Sequence, residues 1–152
     1  MLFGEWIRFW GVAYAGGATR TRNVGAPQLI TSGPFGYVRN PLYIGNMIMY
    51  TGATVIANIW MPYLILVVLF YFAIQYYFIV RLEEDKLTDL FKDEYKEYTQ
   101  AVPRFLPKLK SINSKNLTEP DYSNAFKSEK STFMSFSLIV ILFILKMVLF
   151  KP

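Results

Sequence analysis

Residues 42–80 read LYIGNMIMYTGATVIANIW followed by MPYLILVVLFYFAIQYYFIV, and this stretch decides the fold. It contains no Asp, Glu, Lys or Arg. Its two blocks, Leu42–Trp60 and Met61–Val80, each come close to the roughly 20 apolar residues that a helix needs to cross a hydrocarbon core. Only Asn58-Ile59-Trp60-Met61-Pro62 separates them, so the pair is expected to form a tight helical hairpin. Pro62 suits the first position of the second helix, and Trp60 and Tyr63 suit an interfacial aromatic belt.

Outward from the hairpin lie two more apolar segments. Met1–Gly17 carries Glu5 and Arg8. Ala13-Tyr14-Ala15 resembles a small-x-small cleavage site, but the segment lacks a basic n-region and an uninterrupted apolar h-region. It reads instead as a membrane helix whose Gly4, Gly11, Ala15 and Gly16 offer small packing surfaces. Thr132–Phe150 is again of spanning length, interrupted by Lys146. The expectation is an all-α integral membrane protein with about four transmembrane helices around a central hairpin.

The rest is polar. In Leu82–Gln100 the residues Leu87, Leu90, Phe91, Tyr95 and Tyr98 recur at three- and four-residue spacing, which predicts an amphipathic helix. Val102-Pro103-Arg104-Phe105-Leu106-Pro107 ends it, and Lys108–Ser131 reads as a polar linker. Arg20, Arg22 and Arg39 precede the hairpin and Arg81 through Lys130 follow it, while the hairpin turn is uncharged. The positive-inside rule then puts both hairpin ends on the cytoplasmic side and brings Gln28–Tyr43 close to Arg81–Arg104.

Composition narrows the chemistry. The 152 residues include no Cys and no His, which removes disulfides, thiolate nucleophiles, Ser–His pairs and His-ligated zinc. No EF-hand spacing is present, so no metal site is expected. A general base must be Asp, Glu, Tyr or Lys. The net charge of +5 flanks apolar blocks rather than forming a soluble basic surface, which points to lipid and not to nucleic acid.

Two stretches can carry chemistry. In Leu29–Gly45, Gly33-Pro34 and Asn40-Pro41 are turn signals, and Asn40 is placed to cap the helix that Pro41 opens, near backbone N–H groups suited to an anion. Arg81-Leu82-Glu83-Glu84 sits where the third apolar block ends. Glu83 shares a side with Leu87 and Leu90, and Glu84 with Leu87 and Phe91, so at least one carboxylate is expected beside the apolar face. Each stretch alone is equally compatible with a structured interfacial loop and a solvated acid pair.

Taken together, Gly-Pro-Phe-Gly-Tyr-Val-Arg-Asn-Pro-Leu-Tyr-Ile-Gly (Gly33–Gly45), a helical hairpin, Glu83-Glu84 with Leu87, Phe91, Glu94, Tyr95 and Tyr98, and Val102-Pro103-Arg104 with Pro107 resemble the isoprenylcysteine carboxyl methyltransferase and phospholipid methyltransferase superfamily. The resemblance covers roughly Arg20–Pro107. It implies a membrane-embedded S-adenosyl-L-methionine site capped by the segment after the hairpin. With the polar stretch and the last apolar segment, which lie beyond the resemblance, the expected division is residues 1–110 as a methyltransferase-like domain, 111–131 as a linker and 132–150 as an additional transmembrane helix. By the same resemblance, Gln28, Leu29, Ile30, Phe35, Asn40, Pro41, Tyr43 and Glu83 match cofactor-contacting positions. Arg81, Glu84 and Arg104 are the candidates for the acceptor side. The isoprenylcysteine enzymes have His where Asn40 stands; Arg-Asn-Pro resembles a bacterial-type subfamily.

The reaction expected is methyl transfer to a lipid-like or isoprenylated acceptor reached from the bilayer, at the cytoplasmic face of a bacterial or archaeal inner membrane. A carboxylate acceptor requires no base; a phospholipid amine would require one, for which Glu84 is the nearest candidate. Two other readings stay open: an NADPH-dependent sterol-reductase-like enzyme, which shares an Arg-x-Pro-x-Tyr loop, and a non-enzymatic membrane scaffold.

Overall fold

The computed structural model describes residues 1–16, 28–112 and 118–149. Arg20 and Arg22, which enter the topology argument, lie outside the described residues. Four long helices follow in order: α1 (Leu2–Ala15), α2 (Pro41–Ala57), α3 (Tyr63–Ala101) and α4 (Tyr122–Leu149), with a short 3-10 turn at Gly33–Gly36. Among the described residues there is no strand.

α1 and α2 run antiparallel with their backbones almost touching. A Cβ on Gly4 would lie 2.5 Å from the Gly45 carbonyl oxygen, and one on Gly45 would lie 2.7 Å from that of Gly4. Farther along, a Cβ on Gly11 would meet Leu42 Cδ2 at 2.7 Å. Only glycine permits this crossing, the small-residue packing expected of helices that have little hydrophobic drive to associate in lipid.

α2 turns into α3 through Asn58, in the left-handed region at φ 48°. Pro62 stands at the N-cap of α3 rather than at its first helical position, and the Met61–Pro62 peptide is cis. Aromatic pairs hold the hairpin: Tyr50 stacks on Phe72 at 4.9 Å between centroids, and Tyr43 meets Tyr76 at 4.6 Å.

Where a span followed by a separate amphipathic helix was expected, one helix runs from Tyr63 to Ala101, broken only at Lys92 (φ 44°, ψ −114°). The break redirects the last turns, so that Tyr95, Tyr98 and Val102 bury themselves against Leu29. Leu90, read as part of the apolar face, is exposed, about 100° around the helix from the inward-facing Phe91. The loop before α2 and the loop after α3 are then stitched together: Arg39 N–H donates to Pro103 O (2.9 Å), Lys108 N–H to Tyr37 O (3.0 Å), and the Tyr98 hydroxyl to Phe35 O (2.8 Å). Gln28–Tyr43 and Arg81–Arg104 therefore meet in space.

α4 begins at Tyr122, so residues 122–131, read as linker, are helical. This early start lets α4 dock on α1: Asp121 N–H donates to Ala13 O (2.8 Å), Tyr122 stacks on Phe9 (5.9 Å), and Ala125 is buried with Val12 and Ala13. At its other end Lys146 Nζ donates to Ala57 O at the end of α2 (2.8 Å).

Among the described residues two helices, α3 and α4, are long and apolar enough to cross a membrane. Only 11% of the apolar window of α3 and 6% of that of α4 is buried within the protein. Leu66, Val67, Phe70, Ile74 and Phe78 on α3 all face outward, the arrangement of a membrane protein. α1 and α2, with 14 and 17 residues, are shorter than the roughly 20 residues that a span needs. Among the described residues the structure thus shows an all-helical architecture with four long helices, two of spanning length, in place of four evident spans.

Candidate functional site

A cavity of about 350 Å³ lies where α1, α2, α3 and α4 meet the stitched loops. That size is at the lower end of small-molecule sites. Its apolar wall is made by Val12 and Ala15 of α1, Leu29, Ile30 and Phe35 of the loop, Leu42 of α2, and Leu87 and Phe91 of α3. Because α3 continues unbroken past the span, Glu83 and Glu84 keep helical register with Leu87 and Phe91, and both carboxylates reach the cavity.

Glu83 accepts a hydrogen bond from the Tyr43 hydroxyl at 2.7 Å. Tyr43 is two residues past Pro41, at the start of α2, and its ring lies against Tyr76. The carboxylate, a phenol and the face of Phe35 thus share one chamber.

Glu84 is held by two guanidinium groups. Arg39 Nη1 lies 3.2 Å from its Oε1, and Arg104 donates from Nε to Oε1 at 3.1 Å and from Nη2 to Oε2. The hydrogen bond with Glu84 holds the pKa of the Arg104 guanidinium above its ordinary value. Asn40 is the N-cap of α2 but makes no side-chain capping bond. Its amide instead donates to the Arg104 carbonyl at 3.1 Å, tying the start of α2 to the loop after α3.

All eight residues matched to cofactor positions — Gln28, Leu29, Ile30, Phe35, Asn40, Pro41, Tyr43 and Glu83 — line this one cavity. Of the three acceptor-side candidates, Glu84 lines it. Arg104 reaches it only through Glu84, and Arg81 is exposed on α3 and is not among the lining residues. The helix turns through about 100° per residue, so two positions before Glu83 a side chain points to a different face.

Arg8, Arg39, Asn46 and Glu129 also line the cavity and were not read as site residues from the sequence, and Tyr95 and Tyr98, read as part of the amphipathic face, line it too. The signal existed for Arg8: an ionisable residue inside an apolar block marks a functional position by default. Arg39 was read as a loop charge and as part of the Gly33–Gly45 motif, without a role of its own in the site. Glu129 had no such signal, since it falls in a stretch that reads as linker.

Two curated proteins are similar to this chain. One is the nickel-cobalt-cadmium resistance protein NccN of Alcaligenes xylosoxydans xylosoxydans, 28% identical over 109 residues, which are 72% of this chain and 47% of that protein. Another is the cobalt-zinc-cadmium resistance protein CzcN of Cupriavidus metallidurans, 31% identical over 102 residues, 67% of this chain and 43% of that protein. The matches thus span less than half the length of these relatives. No solved structure matches the chain significantly. The phospholipid methyltransferase family matches residues 1–94, more than half of the chain and including α1, α2, the loop between them and Glu83-Glu84. The chain belongs to the phospholipid methyltransferase family.

Proposed function

We propose that this chain is an S-adenosylmethionine-dependent membrane methyltransferase acting on a lipid-like or isoprenylated acceptor, with O-methylation of a carboxylate favoured. The observation that carries this reading is the convergence of Glu83, Tyr43, Asn40, Phe35 and the Gln28–Ile30 strip on one cavity in a member of this family.

The residues present suit the group. Glu83 offers a carboxylate, already oriented by Tyr43, that can accept the two ribose hydroxyls. Phe35 and Tyr43 offer aromatic faces to a sulfonium, an attraction of about 0.5–2 kcal/mol. Leu29, Ile30, Leu87 and Phe91 form an apolar wall suited to the adenine ring. The bound cofactor supplies an electrophilic methyl group.

The chain's own part is positioning and exclusion of water. Tyr95 and Tyr98, which follow the break at Lys92, line the cavity beside Leu29 and shield it from water in this reading. A carboxylate acceptor brings its own nucleophile. Methylation of such an acceptor would need no proton removed by the chain's own residues. This suits the site, because Glu84, the nearest candidate base, is engaged as counter-ion to Arg39 and Arg104. Orientation alone can supply much of the barrier reduction in such a transfer. In this reading the chemistry occurs at the cytoplasmic face, a view supported by the positive charges of Arg39 and Arg104 under the positive-inside rule.

The experiment is incubation of membranes containing the full chain with methyl-labelled S-adenosylmethionine, followed by identification of labelled lipid. Base-labile label on a carboxylic lipid is expected, absent in Glu83→Ala. Label on a headgroup amine would move the reading to N-methylation. No label together with no binding of the cofactor would overturn it.

A further inference from the structure

Among the described residues two cations line the cavity, Arg8 and Arg39, and they are engaged differently. Arg8 Nη1 donates to Asn46 Oδ1 at 2.7 Å, and Nη2 donates to both oxygens of Glu129 at 3.0 and 2.9 Å. Arg39 is held more loosely. It approaches Glu84 with Nη1 3.2 Å from Oε1, an oxygen that already accepts from Arg104 Nε at 3.1 Å. Arg104 also donates from Nη2 to Glu84 Oε2, so it satisfies both oxygens by itself. Glu83, the neighbouring carboxylate, is engaged by the Tyr43 hydroxyl, and Tyr95 adds only a neutral phenol near Arg39.

The Arg39 side chain is nonetheless enclosed. Only 13% of it is exposed, and its Nε is buried with no hydrogen-bond partner among the described residues. A guanidinium carries five N–H donors in one plane, and an enclosed donor left unpaired costs free energy. The backbone below it is fixed: Arg39 N–H donates to Pro103 O at 2.9 Å, and the Asn40 amide donates to Arg104 O at 3.1 Å. The guanidinium is therefore the part that can turn. Because Arg104 keeps Glu84 satisfied, Arg39 can swing from Oε1 toward the cavity without orphaning that carboxylate. A planar oxyanion there would meet Nε and one Nη side by side, the two-point geometry in which Arg binds carboxylates.

We propose that Arg39 is the residue that anchors a ligand carboxylate in this cavity, the role for which the sequence offered Arg81 and Arg104. The proposal rests on the methyltransferase reading above. Arg81 is exposed and is not among the lining residues, and Arg104 spends its fork on Glu84. Arg39 alone of the three lines the cavity and keeps an unpaired donor edge. Two sources offer the matching group: the carboxylic acceptor of the proposed reaction and the amino-acid end of the cofactor.

The test uses the full chain in phosphatidylcholine nanodiscs, as wild type and as Arg39→Gln, with two ligands each compared with its own carboxamide. One is N-acetyl-S-farnesylcysteine, standing for the acceptor, and the other is S-adenosylhomocysteine. Wild-type protein is expected to bind the acid of one pair at least about tenfold more tightly than its amide. In Arg39→Gln that preference is expected to fall to about twofold or less, with binding of the amide unchanged. Loss in the farnesyl pair assigns the carboxylate to the acceptor, and loss in the nucleoside pair assigns it to the cofactor. If Arg39→Gln does not fold, Arg39→Lys, which keeps the charge and loses the fork, carries the same comparison. No preference for either acid in wild type would overturn the proposal, as would a preference that survives the substitution. Equal weakening of acid and amide would also overturn it, making Arg39 only a pin for Glu84. Those outcomes leave the methyltransferase reading standing. Failure of wild-type protein to bind either nucleoside would sink that reading, and the farnesyl pair would then decide the role of Arg39 by itself.

Discussion

The Tyr43 hydroxyl donates to Glu83 Oε1 across 2.7 Å, joining the first turn of α2 to the point where α3 leaves its apolar stretch. This bond closes the open end of the hairpin and aims a carboxylate into the cavity. It makes the two residues partners with separable roles, orientation for Tyr43 and ligand contact for Glu83.

Tyr43→Phe should therefore weaken S-adenosylhomocysteine binding by about tenfold, the worth of one hydrogen bond to a charged group. Glu83→Ala should abolish binding within the measurable range. Calorimetry on the solubilised protein checks both, and a Tyr43→Phe loss as complete as that of Glu83→Ala would contradict the division of roles.

The glycine crossing of α1 and α2 makes a stability prediction. Gly45→Ala inserts a Cβ that would lie 2.7 Å from the Gly4 carbonyl oxygen and 2.8 Å from Arg8 Cγ. Backbone cannot yield as a side-chain tip can, so the helices must separate, at a cost of about 1–3 kcal/mol. Thermal unfolding in detergent should show a lowered midpoint; an unchanged midpoint would mean that the crossing is looser than the structure has it.

Arg8 and Glu129 form a buried ion pair, and breaking it should cost more than deleting it. Glu129→Ala leaves the Arg8 guanidinium without its carboxylate and should destabilise by about 3–5 kcal/mol, whereas Arg8→Gln with Glu129→Gln should cost far less. The same unfolding measurement decides it: equal losses in single and double variants would argue that the pair is well solvated.

At Lys92 the backbone sits at φ 44°, where a side chain is strained and glycine is not. Lys92→Gly should leave stability unchanged or raise it by up to about 1 kcal/mol, while Lys92→Val should lower it. Hydrogen exchange across residues 93–101 reads the effect where the break acts. A protected, unshifted segment in Lys92→Val would show that the turn is not strained.

Much was legible from the chain itself. The uncharged run Leu42–Val80, between Arg39 and Arg81, has one low-energy solution in a bilayer, a helical hairpin with its polar ends together, because unpaired backbone groups are intolerable in hydrocarbon. Likewise Asn40-Pro41 marks the start of α2 by local backbone chemistry alone, and the spacing of Glu83, Leu87 and Phe91 sets one helix face. Such features depend on neighbours in sequence and on the solvent.

What only the tertiary structure decided depends on residues distant in the chain. That Asn40 spends its amide on Arg104 and not on its own helix, that Glu84 is claimed by Arg39 and Arg104, and that Arg81 is left outside the cavity follow from how the two loops meet. The polar pair Arg8–Glu129 is separated by 121 positions, and its second member sits in a stretch whose composition reads as linker. Residues 122–131 became helix because docking on α1 buries Ala125 and Glu129, a gain that no local propensity records.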